Sequence, residues 1–296
     1  MRQFKWPFLS KIKRFGFVGA LCGLMLAAWA PATRAACIGD TGVKPALVVH
    51  VVPQFTQTQL FTQWTPLLDR VGKSAGLCFE LRVAPTIFEF EQALLRGEAD
   101  FAFLNPYHVV LVQRKQAYVP LLASGQSPLM GILVVKNDSS ITQLNQLDGK
   151  RIAFPAPNAF SATLLTRSPL DQQKIRATPS FVASHSNVFR AVINGDVEAG
   201  GAVTSTLARE PQEVREKLRI LYTTAGFVPH PVAAHPRVPP KLRAQVVAAL
   251  LQLETDASGR TLLENVQLSK PVPVTYARDY KPLESLNLRK FVEGVN

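Results

Sequence analysis

Two hundred and ninety-six residues, 47% apolar and 18% charged, with 17 glycines, 22 prolines and three cysteines, exclude a disordered tail, a disulfide miniprotein and a coiled coil. One large domain or two modest lobes remain, with enough apolar residues to bury a substantial core in many short elements. The formal charge of +12 would suit a nucleic-acid partner, but six of the 33 basic residues precede position 36 and no acid does, so 27 bases face 21 acids beyond it; no basic run interleaved with aromatics is left to track phosphates.

In chain order, Arg2, Lys5, Lys11, Lys13 and Arg14 open the sequence, Phe15 to Ala30 form an uncharged apolar run, and Thr33 and Ala35 hold the spacing a signal peptidase reads. Residues 1–35 therefore read as a secretory signal peptide cut after Ala35, which places the protein in the periplasm. Two readings compete. An uncleaved membrane anchor would want about 20 apolar residues, and a lipid anchor on Cys37 would want an aliphatic residue where Arg34 stands. Cys22 leaves with the signal, so Cys37 and Cys78 form a disulfide candidate in an oxidising compartment, with two separate buried thiols as the alternative. The five histidines show no metal-ligand spacing, and no metal or cofactor is expected.

Strands and helices then alternate, which predicts an α/β protein. Leu47–Val52 reads as a strand buried on both faces. Leu60, Phe61, Trp64, Leu67, Leu68 and Val71 follow a helical period that Pro66 should reset and that Gly72 and Gly76 should end. Cys78–Val83 is the next strand, Thr86 caps a helix to Arg96, and Phe101–Leu104 is the third strand. A comparable series restarts after Gly131 with strands over 132–136, 151–154, 181–183 and 199–203, a helix after Pro157 and a helix over 187–194. Residues 94–100 and 192–198 share a pattern of helix, glycine, acids and strand. From Pro239 an amphipathic helix (Leu242, Val246, Leu250, Leu253) leads a tail expected to return to the first lobe, so the chain crosses between lobes near 124–130 and 223–230. The expected division is lobe 1 over 36–127 plus 229–296 and lobe 2 over 128–228.

Polar residues cluster at the expected strand ends, where open parallel sheets hold their ligands. Asn105 and Tyr107 follow the third strand, Asn158 and Ser161 follow strand 151–154, His185 follows strand 181–183, Thr204 follows strand 199–203, and Gln54 with Phe55 follow the first strand. Each could instead be a helix cap, Asn105 most plainly, since Pro106 would sit at the first helical position. Catalysis finds little support, because no nucleophile elbow is present and Glu98, Asp100, Asp196 and Glu198 read as solvated turn acids. The chain reads as a binding protein rather than an enzyme.

The stretches GEADFAFLNPYH (97–108), GILVVKNDSSITQLNQLDGKRIAFPAPNAFSATLL (131–165), SHSNVFRAVINGDVEAGGAVTSTL (184–207) and HPVAAHP (230–236) resemble the periplasmic solute-binding proteins of phosphate, phosphite and phosphonate ABC transporters, in the branch with an Asn-Pro-Tyr-His signature. The resemblance implies a two-lobed, type II binding-protein fold, each lobe a mostly parallel sheet flanked by helices, joined by two hinge crossings. It implies a monomer that closes on a small anionic ligand, phosphonate-like, phosphate-like or organic, and delivers it to an ABC permease; a sensory role beside a membrane histidine kinase is the alternative, and an exported enzyme a remoter one. Ligand residues implied are Gln54, Phe55, Asn105, Tyr107, Ser161, His185 and Thr204. The family's glycine and tyrosine after the third strand fall on Asn105 and Val109, and its Ser/Thr-rich helix start on Ala159, Phe160, Ser161 and Ala162, where only Ser161 keeps a hydroxyl. A partly apolar or organic ligand suits Phe55, Tyr107 and Phe160 better than free phosphate, which wants several charge-assisted hydrogen bonds.

Overall fold

The computed structural model describes residues 37–43 and 45–292. The expected signal peptide lies outside them. β1 (Ile38–Gly39), β2 (Leu47–Val51), α1 (Gln57–Ala75), β3 (Cys78–Val83), α2 (Ile87–Leu95), β4 (Phe101–Phe103), α3 (Pro106–Gln116) and β5 (Val119–Ser124) come first. β6 (Gly131–Lys136), β7 (Arg151–Phe154), α4 (Thr166–Gln172), β8 (Thr178–Phe181), α5 (His185–Asn194), β9 (Ala199–Val203), α6 (Thr204–Ala208), α7 (Gln212–Arg215) and β10 (Leu218–Thr223) follow. The chain closes with β11 (Pro231–Ala234), α8 (Pro240–Gln252), α9 (Ala257–Asn265) and β12 (Pro271–Pro273).

These strands form a seven-stranded sheet, β1-β3-β2-β4-β11-β5-β12, and a five-stranded sheet, β10-β6-β9-β7-β8. The first takes strands from both ends of the chain and the second from its middle. We refer to the two halves by these sheets. The segments joining them run side by side, with Leu129 bridged antiparallel to Phe227 and the Gly131 N–H donating to Thr224 Oγ1 at 2.9 Å.

Both sheets are mixed, which corrects the expectation of mostly parallel pairing. β2 pairs parallel with β3 and β4, and β7 parallel with β8 and β9. β11 runs antiparallel between β4 and β5, and β6 antiparallel between β10 and β9. Of the antiparallel members, β11 and β12 are four- and three-residue strands of proline, valine and alanine, and proline or arginine interrupts the apolar residues of β5 and β10, so none of these four carries an unbroken aliphatic run such as β6 has.

Local chemistry explains the element ends. Thr56 and Thr86 cap α1 and α2 in reciprocal capping boxes with Gln59 and Glu89. Pro66 does not reset α1: the helix continues through it because Leu60, Trp64, Leu67, Leu68 and Val71 stay on one buried stripe. Gly72 lies inside the helix, where a Cβ would stand 2.7 Å from the Gly39 Cα. Gly76, in the left-handed region, ends it. β8 ends at Phe181 rather than reaching Ala183, whose φ of 70° breaks the strand. α5 begins at His185, two residues before the expected start, with Ser184 as its cap. The acids of the shared pattern are not simply solvated: Asp100 Oδ2 accepts the Val48 N–H at 2.7 Å and Glu198 Oε2 the Arg151 N–H at 3.0 Å, each tying a turn to a neighbouring strand.

Cys37 and Cys78 are bonded, fastening the start of the described chain to β3. At the other end, residues 288–291 leave the first half and lie on the second. Lys290 pairs with Asp171, and the Arg167 guanidinium sits 5.1 Å from the centroid of the Phe291 ring.

Candidate functional site

Asn105 leaves β4 in extended conformation and caps α3, its Oδ1 accepting the His108 N–H at 2.8 Å. Its amide has a different task. Nδ2 donates to the Asn158 carbonyl at 3.4 Å, a contact from one half to the other. The cap reading thus holds for one atom of the side chain, while another reaches across to the other half.

Beneath it lies a polar hub that sequence reading missed. Glu91 of α2 is fully buried, and its carboxylate accepts from His108 Nε2 at 2.9 Å and from Asn158 Nδ2 at 2.9 Å. A buried carboxylate survives only with such partners. Glu91 sits on the inward stripe of α2 with Ile87, Phe90 and Leu94; a lone acid at that helical phase was the available signal. His108, the last residue of the Asn-Pro-Tyr-His run, serves this hub.

The second half contributes Ser161 and His185, each 3% exposed. Ser161 lies in a π-helical turn, Phe160–Leu165, pressed against the strands below. A Cβ on Gly131 would stand 2.1 Å from the Ser161 carbonyl, and one on Gly201 2.3 Å from that of Ala162, so glycine in β6 and β9 is what lets this turn descend. Its hydroxyl has no hydrogen-bond partner within the protein. A buried hydroxyl left unbonded costs about 1–3 kcal/mol, so a ligand oxygen here would be favourable. Gly131→Ala should therefore lift the turn: we expect a melting temperature lower by about 2–4 °C or more and weaker ligand binding, and an unchanged value on both counts would show that the turn is held elsewhere.

His185 Nδ1 lies 3.4 Å from Thr206 Oγ1, whose own proton goes to the Val203 carbonyl at 2.9 Å. Nδ1 is then the protonated nitrogen, and Nε2 of the neutral ring carries a lone pair. Burial holds the His185 pKa down to about 4. His230 belongs to this group and was also missed: it is stacked on Phe103 at 5.5 Å between centroids, and burial, then the charges His108 and His185 would carry, bring its pKa down to about 3. Both imidazoles are neutral at pH 7. Since both pKa values lie below the unfolded value of about 6.5, unfolding takes up protons at low pH, and the stability these residues contribute is complete above 6.5 and lost as pH falls toward 4 and 3.

The remaining expected residues lie around this centre. Gln54 is buried just beyond β2, and Phe55 is half-buried. Tyr107 lines a cavity of about 260 Å³ with Phe160 and Leu288, whereas Thr204, first residue of α6, lines a separate groove with His230. Asn105, Asn158, Ser161, His185 and His230 are all buried, and hydrogen bonds or mutual electrostatic influence link all but Ser161, which follows Asn158 by three residues. Tyr107 and Thr204 stand on opposite flanks. Among the residues named here the arrangement supplies neutral hydrogen-bonding groups, an amide, a hydroxyl and two imidazoles.

Residues 49–280 match the model of the ABC transporter, phosphonate, periplasmic substrate-binding protein family. The chain belongs to this family. A phosphonates-binding periplasmic protein of Escherichia coli is 26% identical over 190 residues, 60% of this chain and 56% of that protein. A phosphate-import protein, PhnD, of Mycolicibacterium smegmatis is 22% identical over 179 residues, 54% and 56% of the two chains. The matched segment spans a little over half the length of these relatives. In fold, PhnD1 of Prochlorococcus marinus, solved with methylphosphonate, superposes with a TM-score of 0.74 at 15% identity, covering 83% of this chain and 97% of its own. The two mixed sheets flanked by helices are those of a type II periplasmic binding protein.

Proposed function

We propose that this family member is a periplasmic solute receptor that captures a phosphonate-class oxyanion between its two halves and presents it to the permease of an ABC importer. The lobes would be 36–127 plus 229–296 and 128–228, the protein a monomer, and the ligand contacts Gln54, Asn105, Ser161 and His185, with Phe55, Tyr107 and Thr204 at the margins. The reading rests on one observation above all: an unbonded buried hydroxyl, Ser161 Oγ, in the same interlobe region as Asn105, His185 and His230. Closure would then be favoured by bonds the ligand makes to both lobes at once.

A thermal-shift panel on the purified protein tests it, with methylphosphonate, longer alkylphosphonates, phosphite, phosphate, sulfate and small organic acids. A ligand at a hundred times its Kd stabilises the native state by about 2.7 kcal/mol, several degrees in a chain of this size. We expect at least one phosphonate to produce that shift and sulfate to produce less. A flat panel across all phosphorus oxyanions would overturn the reading.

A further inference from the structure

On the hinge side of the site lies a groove of about 530 Å³, walled by Thr204 and Arg209 from the second half and by His230 and Gln267 from the first. It shares His230 with the oxyanion site, and Thr204 opens the helix whose Thr206 hydroxyl takes the His185 hydrogen bond. Arg209 follows Thr206 by three residues, which puts it on the same face about one helical turn further out.

The Arg209 guanidinium is fixed before any ligand arrives. It lies 5.9 Å from the centroid of the Phe55 ring, Nη1 donates to the Asn265 carbonyl at 3.0 Å and Nη2 to that of Glu264. Its partners are a ring and two carbonyls at the end of α9; among the described residues no carboxylate forms an ion pair with it. The exposed Glu264 side chain also borders the groove, and its charge reaches the Arg209 guanidinium without forming an ion pair with it. Arg209 is solvent-accessible as well, with guanidinium N–H groups left over after the two carbonyls are served.

We propose that this groove is a second subsite that receives the substituent of the bound phosphonate, and that Arg209 selects substituents ending in an acid, so that the ligand class is a phosphonocarboxylate or a similar phosphorus oxyanion with a second anionic group. The inference rests on the reading of the oxyanion site given above. A bare oxyanion would leave the groove to solvent. A carboxylate carried on the substituent into the groove would meet the guanidinium, which binds carboxylates through paired N–H donors.

Isothermal titration of the purified protein with propylphosphonate and 3-phosphonopropionate, matched in length and differing in the terminal carboxylate, tests it. We expect 3-phosphonopropionate to bind at least tenfold more tightly, Arg209→Gln to bring the ratio of the two affinities near one, and Arg209→Lys to retain part of it. A wild-type ratio near one, or a ratio that survives in Arg209→Gln, would overturn the assignment and leave Arg209 as a clasp on α9, the oxyanion site standing. Binding of neither compound would overturn this inference, and the thermal-shift panel then decides separately whether the oxyanion reading stands.

Discussion

Glu91→Ala should cost this protein more stability than any other single side-chain truncation around the site, about 2–6 kcal/mol, because each of two buried donors that loses its acceptor costs about 1–3 kcal/mol. The change strands two donors, His108 Nε2 and Asn158 Nδ2, in an interior where neither Glu91 nor His108 has any solvent contact. It also cuts a bond between the halves, since Asn158 stands at the head of the turn that carries Ser161. Thermal denaturation should show a melting temperature lower by roughly 10 °C, and binding should weaken even at temperatures where the variant is folded. Glu91→Gln should lose less, because its amide oxygen still accepts one of the two bonds while its NH₂ confronts the other donor. Equal melting temperatures for wild type and Glu91→Ala would show that Asn158 and His108 find other partners.

His185→Ala should weaken phosphonate binding ten- to hundredfold, the worth of one charge-assisted hydrogen bond of about 1.5–3 kcal/mol, with the fold preserved. The assignment of the ring carries a second consequence. With Nδ1–H directed at Thr206, the neutral imidazole turns a lone pair outward, and an anionic oxygen can be bound there only with one more proton, on Nε2 or on the ligand. A neighbouring anion raises the His185 pKa from its value of about 4. The complex therefore binds more protons than the free protein, and affinity rises as pH falls, levelling off once the free histidine is itself protonated near pH 4. Titrations between pH 5 and 8 on wild type and His185→Gln separate this from the ligand's own ionisation, which is common to both. A wild-type slope no steeper than that of the glutamine variant would remove the proton from the binding step.

Much of the architecture is legible in the sequence, for identifiable reasons. The parallel strands β2, β3, β4, β7 and β9 are aliphatic or small-residue runs bounded by helix caps, and Thr56, Thr86, Ser184 and Gly195 announce the helix ends by side-chain chemistry alone. What escaped was whatever depends on chain segments far apart in sequence. β11 is Pro-Val-Ala-Ala, four residues with no period, and becomes a strand because β4 and β5 offer unpaired edges on either side. The site divides the same way. Asn105, Ser161 and His185 could be named because each follows a strand, but Glu91 is inside a helix and His230 inside a crossing, and Arg209 looks like an ordinary surface arginine. Their part emerges only when residues 55 and more positions apart are brought together.

The segment 288–291 ties the two halves together at a third place, apart from the two segments that join the sheets. Phe291, 8% exposed, is covered only while the two sheets stay together, and the Lys290–Asp171 pair is made across the same seam. Parting the two halves would therefore mean peeling this stretch off the second sheet as well as bending the two joining segments.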